Sequence, residues 1–98
     1  YNIGGNNERA NIEIVNLILD VMDKPQSLIS HVQDRPGHDR RYAIDNTKIT
    51  TQLGWAPEYT FDRGMKETIE WYLENSAWVD HVVSGDYLDY YAKMYAAV

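Results

Sequence analysis

The run from Asn11 to Met22 sets the frame for everything around it. Ile14, Ile18, Val21 and Met22 recur at helical spacing with Leu17 beside them, which predicts an amphipathic helix with one face to bury. Asn11 stands where an N-cap belongs, because its side chain can accept from an orphan backbone N–H of the first turn. An Asn on a turn can equally present its amide outward to a base or sugar, and both readings stay open here. Ahead of it, Tyr1-Asn2-Ile3 reads as a strand leaving at Gly4-Gly5, and Lys24-Pro25 ends the helix region.

Strand, glycine turn and helix in that order is also how a dinucleotide-binding unit begins. Gly4-Gly5-Asn6-Asn7 lacks the spaced glycines that let a pyrophosphate rest on the helix N-terminus, so that reading is rejected. The glycine pair then serves as a strand exit, or as a place where backbone meets ligand.

Beyond Pro25 the apolar run Leu28-Ile29-Ser30-His31-Val32 predicts a second strand, and Tyr42-Ala43-Ile44 a brief third. His31 has no second ligand at metal spacing and reads as a packed or half-exposed side chain. Asp45 or Asn46 caps a helix over Lys48–Leu53 that Gly54 stops, with Trp55 packing beside the turn. A longer helix is expected from Phe61 or Asp62 to about Leu73, with Met65, Thr68, Ile69, Tyr72 and Leu73 on one stripe. Helical spacing resumes at Trp78, Val79, Val82 and Val83, breaks at Ser84-Gly85, and returns in a tail that Asp86 caps. Tyr87, Tyr91 and Tyr95 form a stripe in that tail which reads as a packing surface. The expectation is therefore an α/β chain, a mixed α+β lobe of short strands with about four helices.

The unusual chemistry is concentrated in Asp34-Arg35-Pro36-Gly37-His38-Asp39-Arg40-Arg41. Pro36 fixes one torsion and Gly37 frees the next, so the pair marks a turn. Arginines on such a turn offer planar, bidentate donors to a phosphate or carboxylate, while Gly37 lets backbone approach it. The competing reading is a solvated loop whose cations are bridged by Asp34 and Asp39, since exposed ion pairs contribute little. The octet directly follows a predicted strand, where α/β sites tend to be built.

Charge narrows the partners. At −6 overall the chain lacks the broad basic face that nucleic acid or an anionic membrane demands, whereas a small anion needs only a local cluster. Cysteine is absent, which removes disulfides and thiolate metal sites and favours the cytoplasm. No apolar run approaches the ~20 residues of a membrane span. The 44% hydrophobic content is that of a globular chain. A catalytic constellation is missing: there is no Gly-x-Ser-x-Gly, His-Glu-x-x-His, Walker or zinc spacing, and His38 has no partner to make it a general acid or base. The segment reads as a binding part. Its abrupt opening, without Met, points to a start partway through a longer protein.

Several runs together resemble the C-terminal portion of the dTDP-glucose 4,6-dehydratases, within the extended short-chain dehydrogenase/reductases. They are Tyr-Asn-Ile-Gly-Gly at 1–5, Asn11 opening a helix, Asp-Arg-Pro-Gly-His-Asp-Arg-Arg-Tyr-Ala-Ile-Asp at 34–45, Leu-Gly-Trp-x-Pro at 53–57, Thr-Phe at 60–61 and Glu-Trp-Tyr-Leu at 70–73. The likeness covers about residues 1–83 and is weak over the tail. Arg-Pro-Gly-His-Asp followed by Arg-Tyr-Ala-Ile-Asp is its narrowest mark; strand-to-helix turns and Leu-Gly-Trp-x-Pro recur across the extended sugar-nucleotide enzymes. Asn6, where His is expected, and a short loop around Lys24–Ser27 depart from the pattern.

That resemblance implies an NAD-dependent lyase, a homodimer, acting on dTDP-glucose. Its NAD-binding Rossmann domain and catalytic residues lie outside this chain, which binds the nucleotide diphosphate. Residue by residue it implies a nucleotide contact at Asn11 and a substrate-binding loop of Asp34, Arg35, Pro36, Gly37 and His38. Arg35 suits the pyrophosphate, and His38 a phosphate or ribose hydroxyl. A non-catalytic anion-binding or helical interaction module is the alternative, supported by the missing catalytic set and the tyrosine stripe.

Overall fold

The computed structural model describes residues 1–95, with side chains through Met94. Among the described residues five α-helices and one 3-10 turn make up the regular structure: α1 Asn11–Val21, the 3-10 turn Gln26–Leu28, α2 Thr47–Leu53, α3 Phe61–Glu74, α4 Ser76–Val83 and α5 Asp86–Tyr95. The chain divides into two compact units, Tyr1–Lys66 and Glu67–Val98, with the boundary inside α3.

The α/β expectation is overturned, because no strand occurs among the described residues. Extended, apolar sequence becomes a strand only when its N–H and C=O groups find a ladder partner. Leu28 is drawn into the 3-10 turn, and the residues after it run to an almost bare Val32, 86% exposed. Near Tyr42–Ile44 the opening segment does come close, since a Cβ on Gly4 would lie 2.8 Å from the Ile44 Cβ. The Gly4 carbonyl is taken instead by the Asn46 side-chain amide at 2.7 Å. A side chain has claimed the acceptor that pairing would need.

In the first unit the helices begin and end for identifiable reasons. Helix α1 is capped by Ala10, not Asn11; Asn11 is the first helical residue, and no side chain caps this end. The other end closes in a Schellman arrangement: Lys24 N–H donates to the Leu19 carbonyl at 2.9 Å and Asp23 N–H to the Asp20 carbonyl at 3.2 Å. Asp23 takes the left-handed position (φ 53°) that glycine usually fills, and Pro25 prevents any continuation. At α2 the two cap-type residues divide the work. The Asp45 carboxylate accepts from the Thr47 N–H at 2.9 Å, while Asn46, at the N-cap itself, turns its side chain to tertiary bonds. Gly54, at φ 66°, ends α2 as expected. The Thr60 hydroxyl accepts from Arg63 N–H and opens α3. Leu19 and Ile49 are the buried apolar side chains of this unit, and Trp55 is half-buried.

Among the described residues of the second unit, Ile69 is the buried side chain. The rings of Trp71, Tyr72 and Trp78 meet edge to face at 5.2–6.0 Å between centroids, a favoured quadrupole geometry. Helices α4 and α5 pack on each other across a Gly85 elbow at φ 82°. Asp86 is the first helical residue of α5, its N–H donating to Ser84 Oγ. On the predicted stripes Tyr72, Leu73, Tyr87 and Tyr91 are exposed, and the Tyr95 side chain lies outside the described residues.

Candidate functional site

The octet folds as a small self-braced loop. Pro36 and Gly37 form a turn, with Gly37 at φ 71° in the left-handed region that disfavours any Cβ. Asp34 brackets it: one carboxylate oxygen accepts from the Arg35 N–H at 2.9 Å and from His38 Nδ1 at 2.7 Å. A carboxylate requires a donor there, so Nδ1 carries a proton. His38 Nε2 is then left as an acceptor in the neutral ring and as a second donor in the protonated one.

The same contacts hold the Asp34 carboxyl below its ordinary value of 3.8, the His38 bond being the main cause and the Arg35 N–H the second. A depressed carboxyl contributes order that is complete above the unfolded-state value and is lost as pH falls through the folded one. The bracket should therefore persist from neutral pH down to about 4 and open below that. In an NMR titration the Asp34 carboxyl should titrate below 3.8, and His38→Ala should raise it. A midpoint at or above 3.8 in the unsubstituted protein would show that the bracket does not form in solution.

A cleft of about 780 Å³ lies between this loop and the start of α1. Its lining includes Arg9, Asn11, His38, Arg40, Arg41 and Phe61. The volume falls within the range of small-molecule sites. Of the residues singled out from sequence, Asn11 and His38 are thus brought to one cleft. Asp34, Arg35, Pro36 and Gly37 are not part of its lining; Asp34 and the turn hold His38 in place, and the Arg35 side chain is exposed. A second, smaller hollow of about 370 Å³ adjoins it, lined by Gly4–Glu8 and Tyr42–Ile44.

The cleft's charges are largely arranged among themselves. Arg41 Nε donates to the Glu8 carboxylate, joining the segment before α1 to the end of the octet. Arg9 donates to Asn7 Oδ1 at 2.8 Å and lies 4.3 Å over the Phe61 ring. Tyr42 donates its hydroxyl to the Asp39 carboxylate at 2.8 Å, which raises the phenol pKa by stabilising the protonated form. Among the described residues neither Asp34 nor Asp39 bridges an arginine side chain, although Asp34 to Arg41 are all exposed, as in the solvated-loop reading.

Sequence reasoning missed Arg9, Phe61 and Asn46 as contributors. Asn46 is 7% exposed and makes two bonds: it accepts from the Asn6 amide at 2.8 Å and donates to Gly4 C=O. Asn6, the departure from the resembled pattern, sits at φ 50°, which asparagine tolerates. The available signal was the doubled cap Asp45-Asn46, where one cap residue suffices. Asp45 is itself held below 3.8 by the Thr47 hydroxyl and N–H.

These residues do not fit a dinucleotide cofactor. Gly4 is spent on packing against Ile44, and no glycine-spaced helix N-terminus is present. Among the described residues no group of three His, Asp or Glu is placed to hold a metal, and no helix is long and apolar enough to cross a membrane.

Comparison with known proteins accords with this layout. The chain is 51% identical to dTDP-glucose 4,6-dehydratase 1 of Escherichia coli K12 over 97% of its length, and 51% identical to the dTDP-glucose 4,6-dehydratase of Xanthomonas campestris over 89%. It spans only 28% and 27% of those proteins. The 97% coverage carries the likeness into the tail, beyond residue 83. A crystal structure of dTDP-glucose 4,6-dehydratase from Bacillus anthracis in complex with NAD matches with a TM-score of 0.73 at 47% identity, over 80% of this chain and 24% of that one. Residues 1–68 match the family described as GDP-mannose 4,6 dehydratase, and the chain belongs to that family.

Proposed function

We propose that this chain is the C-terminal substrate-binding portion of a dTDP-glucose 4,6-dehydratase, whose full-length form converts dTDP-glucose to dTDP-4-keto-6-deoxyglucose and water. The observation that carries the reading is the cleft that joins Asn11 on α1 to His38 on the braced loop. Two segments far apart in sequence converge there with donors suited to a nucleotide. The family match alone would leave GDP-mannose open as the substrate. The relatives at about 50% identity, named for dTDP-glucose, and the Arg-Pro-Gly-His-Asp run favour the thymidine nucleotide.

In this reading Asn11 contacts the nucleotide, Arg35 reaches the pyrophosphate from the rim, and His38 Nε2 meets a ribose hydroxyl or a phosphate oxygen. Asp34, Pro36 and Gly37 act through shape, by fixing the turn and the ring. NAD and the groups that perform oxidation, elimination and reduction belong to the rest of a homodimeric, cytoplasmic enzyme. The test is direct: full-length protein incubated with dTDP-glucose should release a nucleotide product lighter by one water, and GDP-mannose should be left intact. Turnover of GDP-mannose with dTDP-glucose untouched would sink the assignment.

A further inference from the structure

Between Gly4 and Ala10 the chain has no regular structure, yet it delivers Asn11 to the cleft wall. Helix α1 opens without a side-chain cap, so its own first turn does not fix where it points. The approach segment is held from elsewhere. Arg41 pairs with Glu8, and Arg9 with Asn7, but these polar pairs are exposed, and exposed pairs contribute little. Asn46 differs. It is 7% exposed; its amide donates to Gly4 C=O at 2.7 Å, and its side-chain oxygen accepts from the Asn6 amide at 2.8 Å. Although Asn46 stands at the N-cap of α2 it makes no cap bond, since the Asp45 carboxylate receives the Thr47 N–H. Its side chain is given wholly to the approach segment, at the point where Asn6 turns through φ 50°.

We infer that Asn46 is a positioning residue for nucleotide binding, acting through the approach segment to set the first turn of α1 and with it Asn11. This rests on reading the cleft as the nucleotide site. Buried hydrogen bonds whose opening leaves desolvated groups unpaired resist opening more than surface pairs do, so this stitch is the firmest hold on the segment. Asn7 and Glu8, which follow the stitched Asn6 at once, line both the cleft and the smaller hollow. All of these partners lie within the one unit Tyr1–Lys66. Asn46 is neutral and stands outside the cleft lining, so removing its bonds changes no charge at the ligand and acts on shape alone.

The experiment uses the full-length protein carrying Asn46→Ser, because serine keeps a good N-cap on α2 but is too short to make both tertiary bonds. Hydrogen exchange should quicken about tenfold at the Glu13 and Ile14 N–H groups, which donate to Ala10 C=O, and stay unchanged at Met22 N–H at the far end of α1. In steady-state kinetics KM for dTDP-glucose should rise about fivefold or more with kcat within about twofold. The rise should vanish in an Asn11→Ala background, because Asn46 acts through Asn11. A smaller folded fraction alone would lower kcat and leave KM in place. Exchange that quickens evenly along α1, an unchanged KM, or an equal rise with and without Asn11 would each overturn the inference. If Asn46→Ser does not fold, Asn6→Ala, which removes one of the two bonds from the exposed partner, is held to the same outcomes with smaller shifts. Faster exchange confined to the first turn, in a protein that does not turn over dTDP-glucose, would overturn the reading of the cleft and leave the positioning of Asn11 standing.

Discussion

Asn46→Ala is expected to destabilise the full-length protein by about 2 to 3 kcal/mol, the cost of two lost hydrogen bonds with polar partners left short of acceptors and donors. The position of these bonds matters more than their number. Asn46 is the one buried polar side chain among the described residues, and both its bonds span some forty positions of sequence, to Asn6 and to the Gly4 carbonyl. It joins the segment that leads into α1 to the start of α2, and the smaller hollow and the cleft share residues of that segment. Asn46→Asp should be at least as harmful, because it trades the donor aimed at Gly4 C=O for an acceptor and buries a charge. Asn6→Ala, which removes one bond from an exposed partner, should cost only about 1 kcal/mol. Chemical denaturation of the three variants checks the order. An Asn46→Ala variant as stable as its parent would show that the stitch is not formed in solution.

Much of the helical layout was legible because it depends on local signals. Gly54, Gly85 and Pro25 stop helices wherever they stand, and the spacing of Ile14, Ile18 and Val21 marks a helix in any context. The strands were not legible, because a strand exists only through its partner. The composition of Tyr1–Ile3, Leu28–Val32 and Tyr42–Ile44 is β-like, yet none of these runs forms a ladder among the described residues. The cap of α1 was misplaced by one residue for a related reason: Asn is the better capping residue, but the chain enters the helix through Ala10, leaving Asn11 on the cleft wall.

The site was legible in part. The octet declared itself through Pro36, Gly37 and its arginines, since turn chemistry and charge are written in neighbouring residues. What could not be read is the division of labour within it. Asp34 turned out to brace His38, and of the arginines read together as anion donors Arg40 and Arg41 line the cleft while Arg35 does not. Those distinctions depend on how the loop meets α1 across an interval of sequence with no local pattern of its own.

The second large effect is expected on binding. Asn11 and His38 are the two residues named by the resemblance that also line the cleft. Removing a hydrogen bond to a charged group costs about 1.5 to 3 kcal/mol, and two such bonds to one ligand are not fully additive. Asn11→Ala with His38→Ala should therefore weaken nucleotide binding by about 3 kcal/mol, roughly a hundredfold in Kd. Stability should change little, since Asn11 caps no helix and the His38 bond to Asp34 is at the surface. The decisive measurement is the dissociation constant of dTDP for the full-length protein and for this double variant, by calorimetry on folded samples. The account predicts saturable binding by the unsubstituted protein and a roughly hundredfold loss in the variant. Equal affinity in both would contradict it.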